Sequence, residues 1–236
     1  MYEYIERNVS EIRRRINEAA EKAGRNKDEI MLLAASKTMP SEAVRAAIAA
    51  GVDACGENRV QEMVSKLADS AYDGAPLHFI GHLQTNKVKQ VVGKADLIHS
   101  VDSVRLMEQI DRQAASLGIV QPVLLEVNIG GELSKSGISP NELYHLLETA
   151  GSFPSLTVKG LMTIPPETEN PAESLRYFAE MYNLYVDITA KKYDNVSMDF
   201  LSMGMSADFE YAIAAGANIV RVGSNIFGPR NYSANK

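Results

Sequence analysis

The chain has 236 residues, room for one large domain or two small ones, and its 45% hydrophobic content is enough for a substantial core. A net charge of −6 argues against a nucleic-acid binder, and the Arg13-Arg14-Arg15 cluster is interleaved with acids in the manner of a solvated helix face. No uncharged apolar run reaches the ~18 residues of a membrane span, and the single Cys55 rules out an internal disulfide framework and suits a reducing compartment, the cytosol by default.

The first predicted element is a helix within residues 1–24, with Ile5, Val9, Ile12 and Ile16 at helical spacing. It lacks the apolar stretch of a signal peptide, and its acids argue against a transit peptide. Strand-like apolar runs follow at Met31–Ser36, Asp53–Gly56, Leu77–Gly81 and Leu97–Val101. Four more lie at Val123–Ile129, Val158–Ile164, Met198–Met203 and Ile219–Val222. Helical stretches come between them, including Pro40–Ala50, Val104–Leu117, Asn141–Ala150 and Ala207–Ala215, the last with Ser206 as its expected N-cap.

Strands alternating with helices imply parallel pairing through right-handed crossovers. Eight such units predict an α/β fold, a single (β/α)8 TIM barrel over residues 30–228 carrying an extra N-terminal helix. A doubly wound open sheet is the alternative, but no Gly-x-Gly-x-x-Gly follows the first strand. No Pro- or Ser-rich linker divides the chain, so residues 1–236 are read as one domain.

In a barrel, chemistry sits where strands run into the following loops. The first strand delivers Lys37. A lysine at the rim of an apolar strand can be desolvated, which favours the neutral amine needed to form a Schiff base with a carbonyl compound. From that run alone, a surface lysine with its stem on apolar neighbours is the commoner case. The last two strands shift the balance. Gly204-Met205-Ser206 leads into a predicted helix, and Gly223-Ser224 forms a second small-residue turn. Together they read as a phosphate site, although Ser206 alone is equally a cap and Gly223 a tight turn.

In a closed barrel the first strand adjoins the eighth, so a phosphorylated carbonyl compound reaches both ends of one site. Pyridoxal phosphate, with its aldehyde, pyridine ring and phosphate, has that arrangement. Arg221 lies between the two ends, where a permanent donor at the ring nitrogen would disfavour a pyridinium and weaken the cofactor as an electron sink. The alternative for Arg221 is an ion pair with a barrel carboxylate such as Glu126. The histidines at 78, 82, 99 and 145 show no metal-ligand spacing. His82 is expected to hydrogen-bond within its loop, Lys135 to be a plain exposed lysine, and Cys55 to pack as a small hydrophobe in the second strand. Tyr2, Tyr4 and Tyr232 are expected to be ordinary surface or core aromatics.

Ala35-Ser36-Lys37-Thr38, Gly56-Glu57-Asn58, His78–Lys87, Ser202–Ser206 and Val220–Ser224 together resemble the pyridoxal phosphate homeostasis proteins, also called proline synthase co-transcribed proteins. The match runs in order from about Met31 to Gly228, and its third segment is the most specific. The resemblance implies a fold type III barrel like the N-terminal domain of alanine racemase. It implies that Lys37 holds pyridoxal 5′-phosphate as an aldimine. By the same likeness Ser206, Gly223 and Ser224 bind the phosphate, Arg221 faces the pyridine nitrogen and Asn58 lines the cofactor. The implied role is to buffer the cofactor and deliver it to apo-enzymes rather than to turn over a substrate. The chain ends eight residues after Gly228, which leaves no room for the second, β-rich domain of a racemase. A small cofactor-dependent amino acid racemase and a Schiff-base aldolase remain alternatives on the same residues. A monomer is expected, since no long apolar surface stripe demands a partner.

Overall fold

Every apolar run of the sequence becomes a strand, and each strand finds its neighbour in chain order. The computed structural model describes residues 2–132 and 134–228. Helix α1 (Glu3–Lys22) precedes β1 (Met31–Ala35), α2 (Ser41–Ala49), β2 (Ala54–Glu57), α3 (Val60–Ala68) and β3 (Leu77–Phe79). Then come α4 (Val88–Val91), β4 (Leu97–Val101), α5 (Val104–Leu117), β5 (Gln121–Glu126) and α6 (Pro140–Ala150). The chain continues through β6 (Leu156–Met162), α7 (Pro171–Ala190), β7 (Val196–Ser202), α8 (Phe209–Ala214), β8 (Ile219–Val222) and α9 (Ser224–Phe227).

The eight strands form a closed barrel in sequence order. β8 returns to pair in parallel with β1, setting Leu33 opposite Arg221 and Ala34 opposite Val222. That ladder excludes the open doubly wound alternative. β3 and β5 are shorter than expected, because the chain leaves the ladder early at the mouth. Beyond β5, for example, Asn128 N–H donates to the Ile138 carbonyl, 2.8 Å away.

Two apolar cores follow from strand alternation, which sends successive side chains to opposite faces. The larger lies between barrel and helices and includes Leu32, Ala34, Val220 and Val222. The smaller fills the barrel and comprises Leu33, Ala54, Ile80, Leu97, Leu124, Met162 and Ile219, with Met31, Ala35, Ile164 and Phe200 packed against it. Cys55 is buried, as expected of a small hydrophobe in β2.

The predicted N-terminal helix buries Ile5, Val9, Ile12 and Ile16 on one face. Its polar side chains tie down the last units of the barrel. Asn8 donates to the Ile226 carbonyl at 2.9 Å, and Arg15 is paired with Glu210 through two hydrogen bonds. Arg25, just past the helix, donates to the carbonyls of Ile213 and Ala217. No helix among the described residues is long and apolar enough to cross a membrane.

Ile16 is 1% exposed, so Ile16→Ala removes buried methyl groups and leaves a cavity at this seam. Urea denaturation should show a loss of about 2–5 kcal/mol. A loss below ~1 kcal/mol would mean that α1 contributes little to the fold.

Candidate functional site

Strand parity fixes which side chains meet inside the barrel. Two residues beyond inner-core members lie His99 (after Leu97), Glu126 (after Leu124), Ser202 (after Phe200) and Arg221 (after Ile219), while His78 lies two before Ile80. At the C-terminal mouth the same parity reaches Lys37, Asn58, His82 and Gly223.

Lys37 is half-buried, and the backbone on either side of it is pinned. Ser36 is fully buried: its N–H donates to the Gly56 carbonyl and its hydroxyl to Glu57 Oε1 at 2.6 Å. The Ser36 carbonyl accepts from Lys66 Nζ at 2.8 Å, and Lys66 also pairs with Glu57 at 2.6 Å. Thr38 has φ +66°, a costly conformation for a β-branched residue, and its N–H donates to Glu62 Oε2 at 2.7 Å. Lys66 completes the buried face of α3 with Val60 and Met63. That lysine at an apolar position was a sequence signal for a buried ion pair, and it was missed.

Across the barrel interior runs a chain of buried polar groups. His78 Nδ1 lies 3.0 Å from His99 Nε2, and His99 Nδ1 lies 3.0 Å from Ser202 Oγ. Arg221 donates to Ser202 Oγ at 2.6 Å and to the Thr163 carbonyl at 2.8 Å. In place of the alternative Arg221–Glu126 ion pair, the guanidinium meets these neutral acceptors. Burial pushes the Arg221 pKa down to about 10, opposed by the charges of Asp208 and Glu126, so the guanidinium stays charged at neutral pH. Burial likewise pushes His78 down to about 4 and His99 well below the usual imidazole range.

Glu126, at the end of β5, is 6% exposed, and its Oε2 has no hydrogen-bond partner among the described residues. Burial, reinforced by the nearby charge of Asp102, pushes its pKa up to about 7. Asn58 Oδ1 is a second buried acceptor without a partner among the described residues.

The turns after β7 and β8 are locked to each other. Ser206 Oγ accepts the Gly223 N–H at 3.1 Å, and the Ser206 carbonyl accepts from Asn225 Nδ2 at 2.8 Å. Ser206 is therefore not the helix cap expected from sequence. α8 starts at Phe209 because Asp208 Oδ1 captures the Met205 N–H and closes a turn ahead of it. Gly223 lies against β1, where a Cβ would come within 3.3 Å of the Ala35 carbonyl. Among the described residues, the first α9 N–H to find a backbone acceptor is that of Ile226, so those of Ser224 and Asn225 face other acceptors. A cleft of about 590 Å³ beside this turn is lined by Glu167, Glu169 and Asp208 and does not include Lys37. Three carboxylates make it a poor home for a phosphate.

Two polar loop residues depart from expectation. Lys135 is half-buried, with Nζ 2.9 Å from the Pro165 carbonyl and 2.6 Å from Glu132 Oε2. His82 reaches outside its own loop, placing Nδ1 3.3 Å from Ser136 Oγ and 3.9 Å from Asp102 Oδ2. Tyr2 and Tyr4 pack together against the core, whereas Tyr232 lies outside the described residues.

Residues 7–231 match the family model of the alanine racemase N-terminal domain. A pyridoxal phosphate homeostasis protein of Aquifex aeolicus is 46% identical over 224 residues, covering 95% of this chain and 97% of its own length. The chain belongs to the pyridoxal phosphate homeostasis protein family. A solved structure of PipY from Synechococcus elongatus with PLP bound superposes with a TM-score of 0.82 at 33% identity, over 95% of this chain and 100% of PipY. Alanine racemase from Corynebacterium glutamicum shares the fold, with a TM-score of 0.71 at 15% identity over 100% of this chain and 64% of the racemase. The barrel of this homeostasis-family chain is thus the fold type III barrel expected from its motifs.

Two measurements probe the site of this family member. Lys66→Met leaves Glu57 buried without its cation, and urea unfolding should show a loss of roughly 3–5 kcal/mol; a neutral result would remove the pair from the support of Lys37. Glu126 binds its proton more tightly folded than unfolded, so stability should fall as pH rises from 4.5 to about 7. Glu126→Gln should flatten that fall in urea midpoints taken across pH, and an unchanged slope would assign it to another group.

Proposed function

We propose that this chain binds pyridoxal 5′-phosphate covalently through Lys37 and keeps it available in the cytosol for apo-enzymes, acting as a monomer. The observation that carries this is the β1–β8 pairing, which brings the turn at Gly223 against Ala35, two residues before Lys37. When bound, pyridoxal phosphate supplies an aldehyde open to reversible capture by a lysine amine.

The residues present suit that group. Ser206 accepts the Gly223 N–H, which leaves its own hydroxyl proton to donate to a phosphate oxygen. The N–H groups of Ser224 and Asn225 add donors on the same side. Arg221 uses two of its five N–H donors inside the barrel, which leaves one for the single lone pair of the ring nitrogen. Asn58 Oδ1 offers a buried acceptor on the wall between. A fixed cation at the ring nitrogen opposes pyridinium formation, which favours holding the cofactor over using it as an electron sink.

Incubation with pyridoxal phosphate should give the purified protein a visible absorbance that is absent from Lys37→Ala. Borohydride reduction followed by peptide mass spectrometry should place one pyridoxyl group on Lys37. A protein that stays colourless, or carries the label elsewhere, would overturn the proposal. Mixing the loaded protein with an apo-enzyme behind a cofactor-trapping competitor tests delivery, with activation expected only if transfer is direct.

A further inference from the structure

Resting on the reading of Arg221 as the partner of the ring nitrogen, we propose that His78, His99 and Ser202 form a one-directional hydrogen-bond chain that holds the Arg221 guanidinium in place. His99 is then a positioning residue for the cofactor ring, although it lies deep inside the barrel.

The direction follows from donor inventory. Arginine donates and never accepts. Ser202 Oγ has two partners, Arg221 and His99, at 2.6 and 3.0 Å. One lone pair of Oγ is taken by Arg221, so among the described residues the hydroxyl proton has one acceptor within reach, His99 Nδ1. His99 must then carry its proton on Nε2, which faces His78 Nδ1 at 3.0 Å. His78 in turn accepts at Nδ1 and carries its own proton on Nε2. The reverse order would aim two donors at Ser202 Oγ and leave its buried hydroxyl proton without an acceptor, at the cost of an unmade hydrogen bond.

The charges agree with this order. His99 and Ser202 are fully buried, and His78 and Arg221 are each 4% exposed. Besides burial, the groups acting on His99 are His78 and Arg221, and both oppose its protonation; Asp96 acts on His78. A cationic His99 would put a second positive charge beside the guanidinium and remove the acceptor that Ser202 needs. The histidines therefore stay neutral, and Arg221 is oriented by neutral groups. Among the described residues no carboxylate is hydrogen-bonded to it, Asp208 and Glu126 acting only through their charge, and Thr163, through its carbonyl, fixes the second arm of the guanidinium. Thr163 is itself anchored by its hydroxyl to the Val127 carbonyl at 2.7 Å.

Long-range 1H–15N correlation on the cofactor-free protein reads the two tautomers directly. Both histidines should be Nε2–H and neutral from about pH 8 to about pH 5. An Nδ1–H tautomer at His99, or its protonation in that range, would overturn the chain. On the pyridoxal phosphate side, His99→Leu removes the acceptor, whereas in His99→Asn the amide oxygen stands in for Nδ1. The Leu variant should bind pyridoxal phosphate roughly tenfold more weakly and shift the pH profile of its visible absorbance. The Asn variant should stay within about twofold of the parent. Equal affinity for the parent and the Leu variant would remove His99 from ring positioning. A parent that takes up no pyridoxal phosphate would instead sink the cofactor reading, with the tautomers still deciding the chain.

Discussion

The pairing of the last strand with the first is the constraint from which the site follows. In a sheet of the same strand order left open, β1 and β8 would end at opposite edges, and Lys37 would sit far from the turns after β7 and β8. Closure sets Leu33 against Arg221, and a turn made of Gly223 fits against the Ala35 carbonyl where a larger residue would crowd it. The ladder between β7 and β8 is thin, with the single register pair Ser202–Ile219. Side chains supplement it. Asn218 bonds to Leu201 N–H and the Asp199 carbonyl, and Arg25 bonds to two carbonyls at the end of α8. The N-terminal helix thus belongs to the machinery that keeps the mouth in register.

Two ways of burying charge meet at this mouth. On the outer side of β1 and β2, Lys66 and Glu57 neutralise each other, and their surplus hydrogen bonds are spent on Ser36. Such a pair gains little net stability over apolar packing, but it fixes geometry because breaking it is expensive. Inside the barrel, Arg221 is met by a hydroxyl and a carbonyl, so its charge is solvated without being cancelled. A cancelled charge suits scaffolding; an uncancelled one retains a field that reaches a ligand. Glu126, pushed toward the neutral form, softens that field only in part.

The fold was legible because its signals are local. Apolar strand runs, the helical stretches between them and the repeated order of elements predict a barrel before any contact is known. The meeting of the β1 and β8 ends was legible for the same reason, since barrel order alone makes the first and last strands neighbours. What stayed hidden depends on distant partners. His78 and His99 showed no metal spacing, yet His78 meets His99, and His99 meets Ser202 more than 100 positions away across the barrel. Lys66 belongs to no motif, and only its place on the buried face of α3 with Val60 and Met63 reveals its role. Ser206 has the composition of a helix cap, but Asp208 closes a turn first and leaves Ser206 to bridge two loops. Side chains whose partners come from several strands carry no periodic trace in the chain.

Thr38 adds a consequence for the lysine beside it. A flexible loop that captures a small molecule must surrender backbone freedom at that moment, about 1–2 kcal/mol for each residue ordered. Here the freedom is surrendered when the chain folds. Ser36 is held at its N–H, hydroxyl and carbonyl, and Thr38 is held by Glu62 in a left-handed conformation that threonine rarely adopts. The backbone on both sides of Lys37 is therefore ordered before anything docks beside it. The entropic cost of ordering this strand end thus falls on folding, and docking at the mouth does not have to meet it again.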